Sequence, residues 1–399
     1  MLRRRRTGKP SLSRRVLWIV RDVLFVTADS LALALVRSPK RRAQEGKPKV
    51  AIVAAHGIGD LVLLLPALDT LLRRYPRSRF MVTLVCSSAA AEFARSVVSV
   101  DEIVPVDRLQ LRRDLAYRLA IVRQLRRADF AIAVQPNFNR DLLVEDSLIR
   151  ATGARTRIGS VGAEMFIPSL YRLLGDLWYS RLIPASPGLL HELERNAEFM
   201  HHLDPLPPDP PASIMLPPPQ SCIEGPPYVL FVVGSSSPLK NWPLAHFQWV
   251  ARAIVERTCA AIVFCAGPHD GIRQPDVDPR DQAQFNYRIG QTSLADLLAL
   301  ISGARLVVTN DSAATHLAAA YRVPSVCVVG GGIVGRYHPY PAERTSGMTA
   351  PVPVGMVQPM PCFDCGWRCR FDLEPGQPAP CVEAVERSRV LAAALDLLQ

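Results

Sequence analysis

Several signatures are absent, and each absence removes a class of function. There is no zinc-finger spacing, no RNP-type aromatic signature and no basic face through the body of the chain. Nucleic acid is therefore not an expected partner, although Lys and Arg number 47 against 36 Asp and Glu and the net charge is +11. The loop after the apolar run 228–233 is not a Walker A loop, because it has no second glycine and no Lys-Ser/Thr pair. The most apolar segment, 14–37, is broken by Arg21, Asp22 and Asp29. It falls short of the ~20 apolar residues that a membrane span needs, and it offers no convincing small-residue cleavage site for a signal peptide.

What is present is apolar material for more than one core, with 49% hydrophobic residues in 399. The positive charge gathers near the amino terminus, in Arg3–Arg6, Arg14, Arg15 and Lys40–Arg42. Such a block suits an anionic surface such as lipid headgroups. On a helix, Arg14, Arg15, Arg21, Asp22, Asp29 and Arg37 share one half, and Trp18, Leu24, Phe25, Leu31 and Leu35 lie largely elsewhere. That pattern predicts an amphipathic helix in a membrane interface; a helix packed on a domain core is the other reading.

From residue 46 onward, apolar runs alternate with helical patterns. Val50–Ala55, Phe80–Cys86, Ile103–Val106 and Ala131–Val134 read as strands of a first α/β domain, 46–203. The turn His56-Gly57-Ile58-Gly59-Asp60 follows the first strand. Its glycines, Gly59 among them, admit a ligand close to the backbone. Asp60 is either a helix cap or a carboxylate open to a cleft and able to act as a general base. Pro66 implies a helix start or a kink.

Residues 204–227 hold ten of the 35 prolines and predict a stiff, extended connector. A second α/β domain, 228–382, follows, and 383–399 predicts a closing helix. After the strand 228–233, Gly234-Ser235-Ser236 offers N–H and O–H donors for phosphate oxygens, and Lys240 adds a point charge. Asp270, after the strand 261–265, is placed to bind ribose hydroxyls or is a plain turn residue. Asn310-Asp311-Ser312 joins the strand ending at Val308 to a helix from Thr315. That turn reads as a capped helix or as a phosphate-binding helix terminus.

Taken in order, these residues resemble glycosyltransferase family 9, the heptosyltransferases of lipopolysaccharide core synthesis and their relatives. The resemblance covers 48–399. It rests on Gly57-Ile58-Gly59-Asp60 with Pro66-Ala67-Leu68 and Tyr75-Pro76, on Gly234-Ser235-Ser236 with Lys240 and Trp242-Pro243, and on Asn310-Asp311-Ser312 with His316–Ala320 and Pro324. It implies a GT-B fold, two Rossmann-like domains facing each other across a cleft. It further implies inverting, metal-independent transfer from a nucleotide-diphospho-sugar, ADP-heptose in the best-known members, to a lipid-linked saccharide. Asp60 would then be the base, Lys240 would hold the donor phosphates, and Asp311 and Ser312 would hold diphosphate and sugar, with His316 supporting the turn. The expected location is the cytoplasm, on the inner face of the membrane. The alternatives are a hexosyl or other transferase of the same fold and a non-catalytic binding scaffold. The family usually places glycine after Asp-Ser, where this chain has Ala313; alanine disfavours positive φ and carries a Cβ toward the phosphate.

No cofactor is expected for catalysis. Cys362, Cys365, Cys369 and Cys381 carry a CxxC-led spacing that suits a tetrahedral structural zinc; free thiols or a reversible disulfide are the other readings.

Overall fold

The computed structural model describes residues 12–36, 46–162, 169–204, 216, 217, 219, 226–273, 284–341 and 352–399. Arg3–Arg6, Lys40–Arg42 and nearly all of the proline-rich stretch lie outside the described residues. The chain divides into two compact units, one within Gly8–Gly188 and Leu193–Ala212, the other within Leu189–Glu192 and Ser213–Gln399.

The first unit opens with α1 (Leu12–Leu35), β1 (Lys49–Ala54), α2 (Ile58–Arg74), β2 (Met81–Ser87), α3 (Ser88–Val97) and β3 (Glu102–Val106). It continues through α4 (Arg108–Arg113), α5 (Leu115–Arg127), β4 (Ile132–Gln135), α6 (Ser147–Thr152), β5 (Thr156–Ser160), α7 (Ser169–Asp176), β6 (Arg181–Ile183) and α8 (Glu192–Leu203). Its six strands are parallel in the order β3-β2-β1-β4-β5-β6. Such a sheet is covered on both faces, so its central strand must be apolar throughout; Val50–Ala54 of β1 are all buried. The helical stretch 108–127 is divided in two. Asp114 breaks it, because its side chain accepts from the Tyr117 N–H and caps a new start. Helix α2 begins at Ile58 and runs through Pro66, so the proline marks neither end.

The second unit contains β7 (Tyr228–Val232), α9 (Leu244–Thr258), β8 (Ala261–Ala266), β9 (Phe285–Ile289), α10 (Leu294–Gly303), β10 (Leu306–Asn310), α11 (Ala313–Ala320), β11 (Ser325–Val329) and β12 (Val354–Val357). The order β12-β11-β10-β7-β8-β9, again all parallel, repeats the topology of the first sheet. Phe231, Phe247, Phe264 and Trp242 form the centre of its core. The closing helix Arg387–Leu398 packs its Val390, Leu391 and Ala394 into that same core, on its own unit.

Helix α1 packs on the unit by its charged side. Its buried stripe is Asp22, Phe25, Asp29 and Ala32, at helical spacing, and its apolar side chains Trp18, Leu24, Leu31 and Leu35 are exposed. The reason is a charge partner on α5. Arg118 is fully buried and uses all five N–H donors: two on the Asp29 carboxylate at 2.8 and 2.5 Å, two on the carbonyls of Leu111 and Leu143, and one on the Ser147 hydroxyl. Asp22 accepts from the Tyr171 hydroxyl of α7 at 2.8 Å. The charges thus bind α1 to the unit and leave its leucines outside.

Breaking a satisfied buried pair from one side costs about 3–5 kcal/mol, while replacing both partners with apolar groups is far milder. Asp29→Ala should lower stability in urea denaturation by that amount, and Asp29→Leu with Arg118→Met should recover most of it. Equal losses in the single and double variants would refute the pairing as the anchor.

Candidate functional site

Both sheets change direction at one place, between β1 and β4 in the first and between β7 and β10 in the second. Loops at the carboxyl ends of strands flanking such a switch point are the usual ligand site of open parallel sheets. The sequence puts its polar motifs there in both units.

In the second unit, the β7 loop and the β10–α11 turn are joined by an ion pair. Lys240 closes a short 3₁₀ turn, and its Nζ lies 2.9 Å from Asp311 Oδ2. Asp311 is buried, which pushes its carboxyl pKa up, but Lys240 and then His338 outweigh burial and leave it lowered. The carboxylate is therefore ionised at neutral pH. Asn310 makes the second tie: its Oδ1 accepts from the Trp242 N–H at 2.9 Å and its Nδ2 donates to the Val233 carbonyl at 2.7 Å. Ser312 is the N-cap of α11 and accepts from the Ala314 N–H. Ala313 is the first residue of that helix and is not among the residues with positive φ, so the alanine strains nothing.

The predicted binding residues separate into two groups. Lys240, Asp311, Ser312 and Ala313 share the switch point, and the exposed Ser236 lies on the same β7 loop. Ser235 is instead buried and spends its hydroxyl within the loop, 2.8 Å from the Ser237 carbonyl and 2.7 Å from Asn241 Oδ1. Its side chain shapes the loop. Asp270 accepts from the Gly267 N–H at 2.7 Å and abuts Gly234 so closely that a Cβ there would meet it at 2.0 Å. Its pKa is raised, burial outweighing that N–H. His316 stands behind the turn, buried, 2.6 Å from the Tyr340 hydroxyl and stacked on His338.

In the first unit, the turn after β1 leads into α2 with Gly57 as N-cap. The Asp60 carboxylate returns to the Gly57 N–H at 3.3 Å and is half-exposed; Gly59 lies in the same first turn. The capping role is thus present, and it leaves the carboxylate at the strand end. His56 ties this turn to the β4 loop through the Asn139 carbonyl at 2.8 Å. Behind it the buried Glu145 meets Arg108, which also donates to the Ala55 carbonyl at 2.8 Å. His56, Arg108 and Glu145 carry no sequence motif that would mark them as neighbours.

The four clustered cysteines line one small cavity together with Gly331 and Trp367. None of the four is paired in a disulfide. Burial, and then the neighbouring thiols, raise the pKa of Cys365 and Cys381. Cys381 Sγ accepts from the Gly331 N–H at 3.3 Å. Among the described residues, no three potential ligands stand close enough to hold an ion as placed. Trp367, inside this loop, reaches the ion pair: Lys240 Nζ lies 4.9 Å from its ring centroid.

The chain is similar to known proteins. Lipopolysaccharide heptosyltransferase 1 of Pseudomonas aeruginosa is 25% identical over 303 residues, 72% of this chain and 81% of that protein. The structure of Escherichia coli ADP-heptose lps heptosyltransferase II superposes with a TM-score of 0.59 at 17% identity, covering 88% of this chain and 98% of that one. E. coli heptosyltransferase WaaC with ADP-2-deoxy-2-fluoro heptose gives 0.55 at 18% identity, covering 78% and 93%. Both structural likenesses establish the shared GT-B architecture of paired parallel sheets. Residues 118–350, more than half of the chain, match Glycosyltransferase family 9 (heptosyltransferase), and the chain belongs to that family.

Proposed function

We propose that this protein is a heptosyltransferase-type glycosyltransferase of lipopolysaccharide synthesis, moving heptose from ADP-heptose to a lipid-linked saccharide with inversion. The observation that carries the reading is the Lys240–Asp311 pair at the switch point beside the start of α11. A leaving diphosphate needs fixed positive charge and N–H donors, and preorganised donors of this kind supply much of the stabilisation in such reactions. Lys240 and the first N–H groups of α11 provide both, which is why the chemistry is proposed to need no divalent ion. Asp60 is the proposed base that takes the acceptor's hydroxyl proton, a contribution of ~10²–10⁴-fold. The named relatives, one of them solved with ADP-2-deoxy-2-fluoro heptose, support the donor.

The proposed location is the inner face of the cytoplasmic membrane, with α1 lying on it. No helix among the described residues is long and apolar enough to cross a membrane. Trp18, Leu24 and Leu31 of α1 and Leu170 and Leu173 of α7 are exposed, and α1 follows the basic amino terminus in sequence. Amphipathic helices with flanking cations bind anionic lipid in this way.

Cys362, Cys365, Cys369 and Cys381 are the proposed ligands of a structural zinc or similar ion. The sulfur donor set and the shared cavity support the reading, and binding would draw the four thiols closer than they stand. The ion would fix the loop, and no step of the transfer runs through it.

Without added metal, ADP-heptose should raise the melting temperature, and UDP-, GDP- and CDP-sugars should not. Asp60→Asn should cut turnover ~10²-fold or more and spare ADP binding; retained turnover would remove Asp60 from the role of base, and persistence of turnover in EDTA checks metal independence. Replacing Trp18, Leu24 and Leu31 by Ser should release the protein from anionic liposomes in a pelleting assay, and undiminished pelleting would remove α1 from that role. Elemental analysis should find about one zinc per chain, lost in Cys362→Ser; metal-free folded protein would dismiss the metal site.

A further inference from the structure

The cysteine loop has a second feature that the transfer reaction has not yet used. Three successive glycines follow β11, and the loop's two aromatic rings lie directly on them. A Cβ at Gly330 would stand 2.5 Å from the Trp367 ring, at Gly331 2.1 Å from the Phe363 ring, and at Gly332 2.3 Å from Trp367 again. The loop is pinned by its backbone: the Asp364 N–H donates to Gly331 O and the Gly366 N–H to Gly332 O, each at 2.8 Å. Asp364, Gly366 and Trp367 all take a positive φ near 60°. For the aspartate and the tryptophan this is a strained conformation that the surrounding contacts must hold in place. One of the two is the residue whose ring reaches Lys240.

Lys240 is thus held from two sides, by the Asp311 carboxylate at 2.9 Å and by the Trp367 ring with its centroid 4.9 Å from Nζ. The two holds differ in kind. The carboxylate occupies an N–H donor and competes with an incoming diphosphate for it. The indole face attracts the ammonium through its quadrupole, adds no charge, and is compatible with the ammonium donating to phosphate oxygens. A lysine has a flexible four-carbon stem, and fixing its head before ligand arrives lowers the entropy lost on binding.

We propose that Trp367 is a positioning residue for donor binding. Carried on the cysteine loop and seated on Gly330 and Gly332, it keeps Lys240 aimed at the donor diphosphate when Asp311 loosens its hold. This rests on the reading of Lys240 as a diphosphate contact.

The test is a double-mutant cycle on the full chain, with ADP as probe in titration calorimetry. Trp367→Leu should weaken ADP binding ~10-fold, the size of a partly desolvated cation–π contact. Trp367→Phe, which keeps a smaller aromatic face on the glycines, should fall between Leu and wild type. In a Lys240→Met background the same Trp367 changes should have little further effect, an outcome that a purely structural tryptophan would not produce. In turnover assays the loss should appear mainly in the KM for donor. If Trp367→Leu does not fold, the Phe variant alone carries the cycle. Unchanged ADP affinity in the folded Trp367 variants, or an equal loss in the Lys240→Met background, would overturn the positioning role while leaving Lys240 in place. Unchanged affinity in Lys240→Met itself would overturn the donor-site reading and the positioning role with it.

Discussion

The carboxylate of Asp311 sits buried at the start of a helix, and such a group is tolerable only when a cation stands against it. Lys240 supplies that cation from a different loop, 71 residues away in sequence. Much else at that end of the sheet follows from the requirement. The β7 loop must fold back far enough to bring the lysine in, so Ser235 and Asn241 bond to each other and Trp242 hangs its N–H on Asn310. Trp242 then inserts into the core and gives its indole N–H to the Val385 carbonyl, tying the loop to the segment before the closing helix. The chemical site and the core of the unit are in this way one hydrogen-bonded assembly.

The sheets were largely legible in the sequence because a parallel strand buried on both faces leaves a short, unbroken apolar run between turn residues. The polar turns after β1, β7 and β10 were legible because glycine, serine and asparagine cluster between a strand and a helix. Individual side-chain assignments were harder to reach. Ser235 looked like a phosphate donor, and its hydroxyl is consumed inside its own loop. Asp270 read as a ribose ligand or a plain turn residue, and its carboxylate accepts from the Gly267 N–H and abuts Gly234. Composition reports which groups are available at a turn, whereas geometry decides which are already spent. Glu145, Arg108 and Trp367 escaped notice because each acts across a long sequence separation, with no local pattern to mark it.

Helix α1 shows the same difference in a sharper form. Helical periodicity separated most of its charges from most of its apolar side chains, Phe25 excepted, and left open what each side would meet. An amphipathic pattern specifies two faces; it does not say which one meets the protein. The deciding facts were Arg118 and Tyr171, which convert Asp29 and Asp22 from solvated charges into internal ties. Leucines are ordinarily the inward face, and here the aspartates are.

That inversion has a consequence during synthesis. Arg118 follows Asp29 by 89 residues, so at ~5–20 residues per second the ribosome exposes α1 for roughly 4–18 seconds before its partner exists. Throughout that interval the segment of α1 has neither Arg118 nor Tyr171 to meet its aspartates. Its first opportunity to bury apolar surface comes from whatever lies near the exit tunnel. Under the proposed membrane location, a nascent chain that meets a bilayer then would reach that surface before it has finished folding.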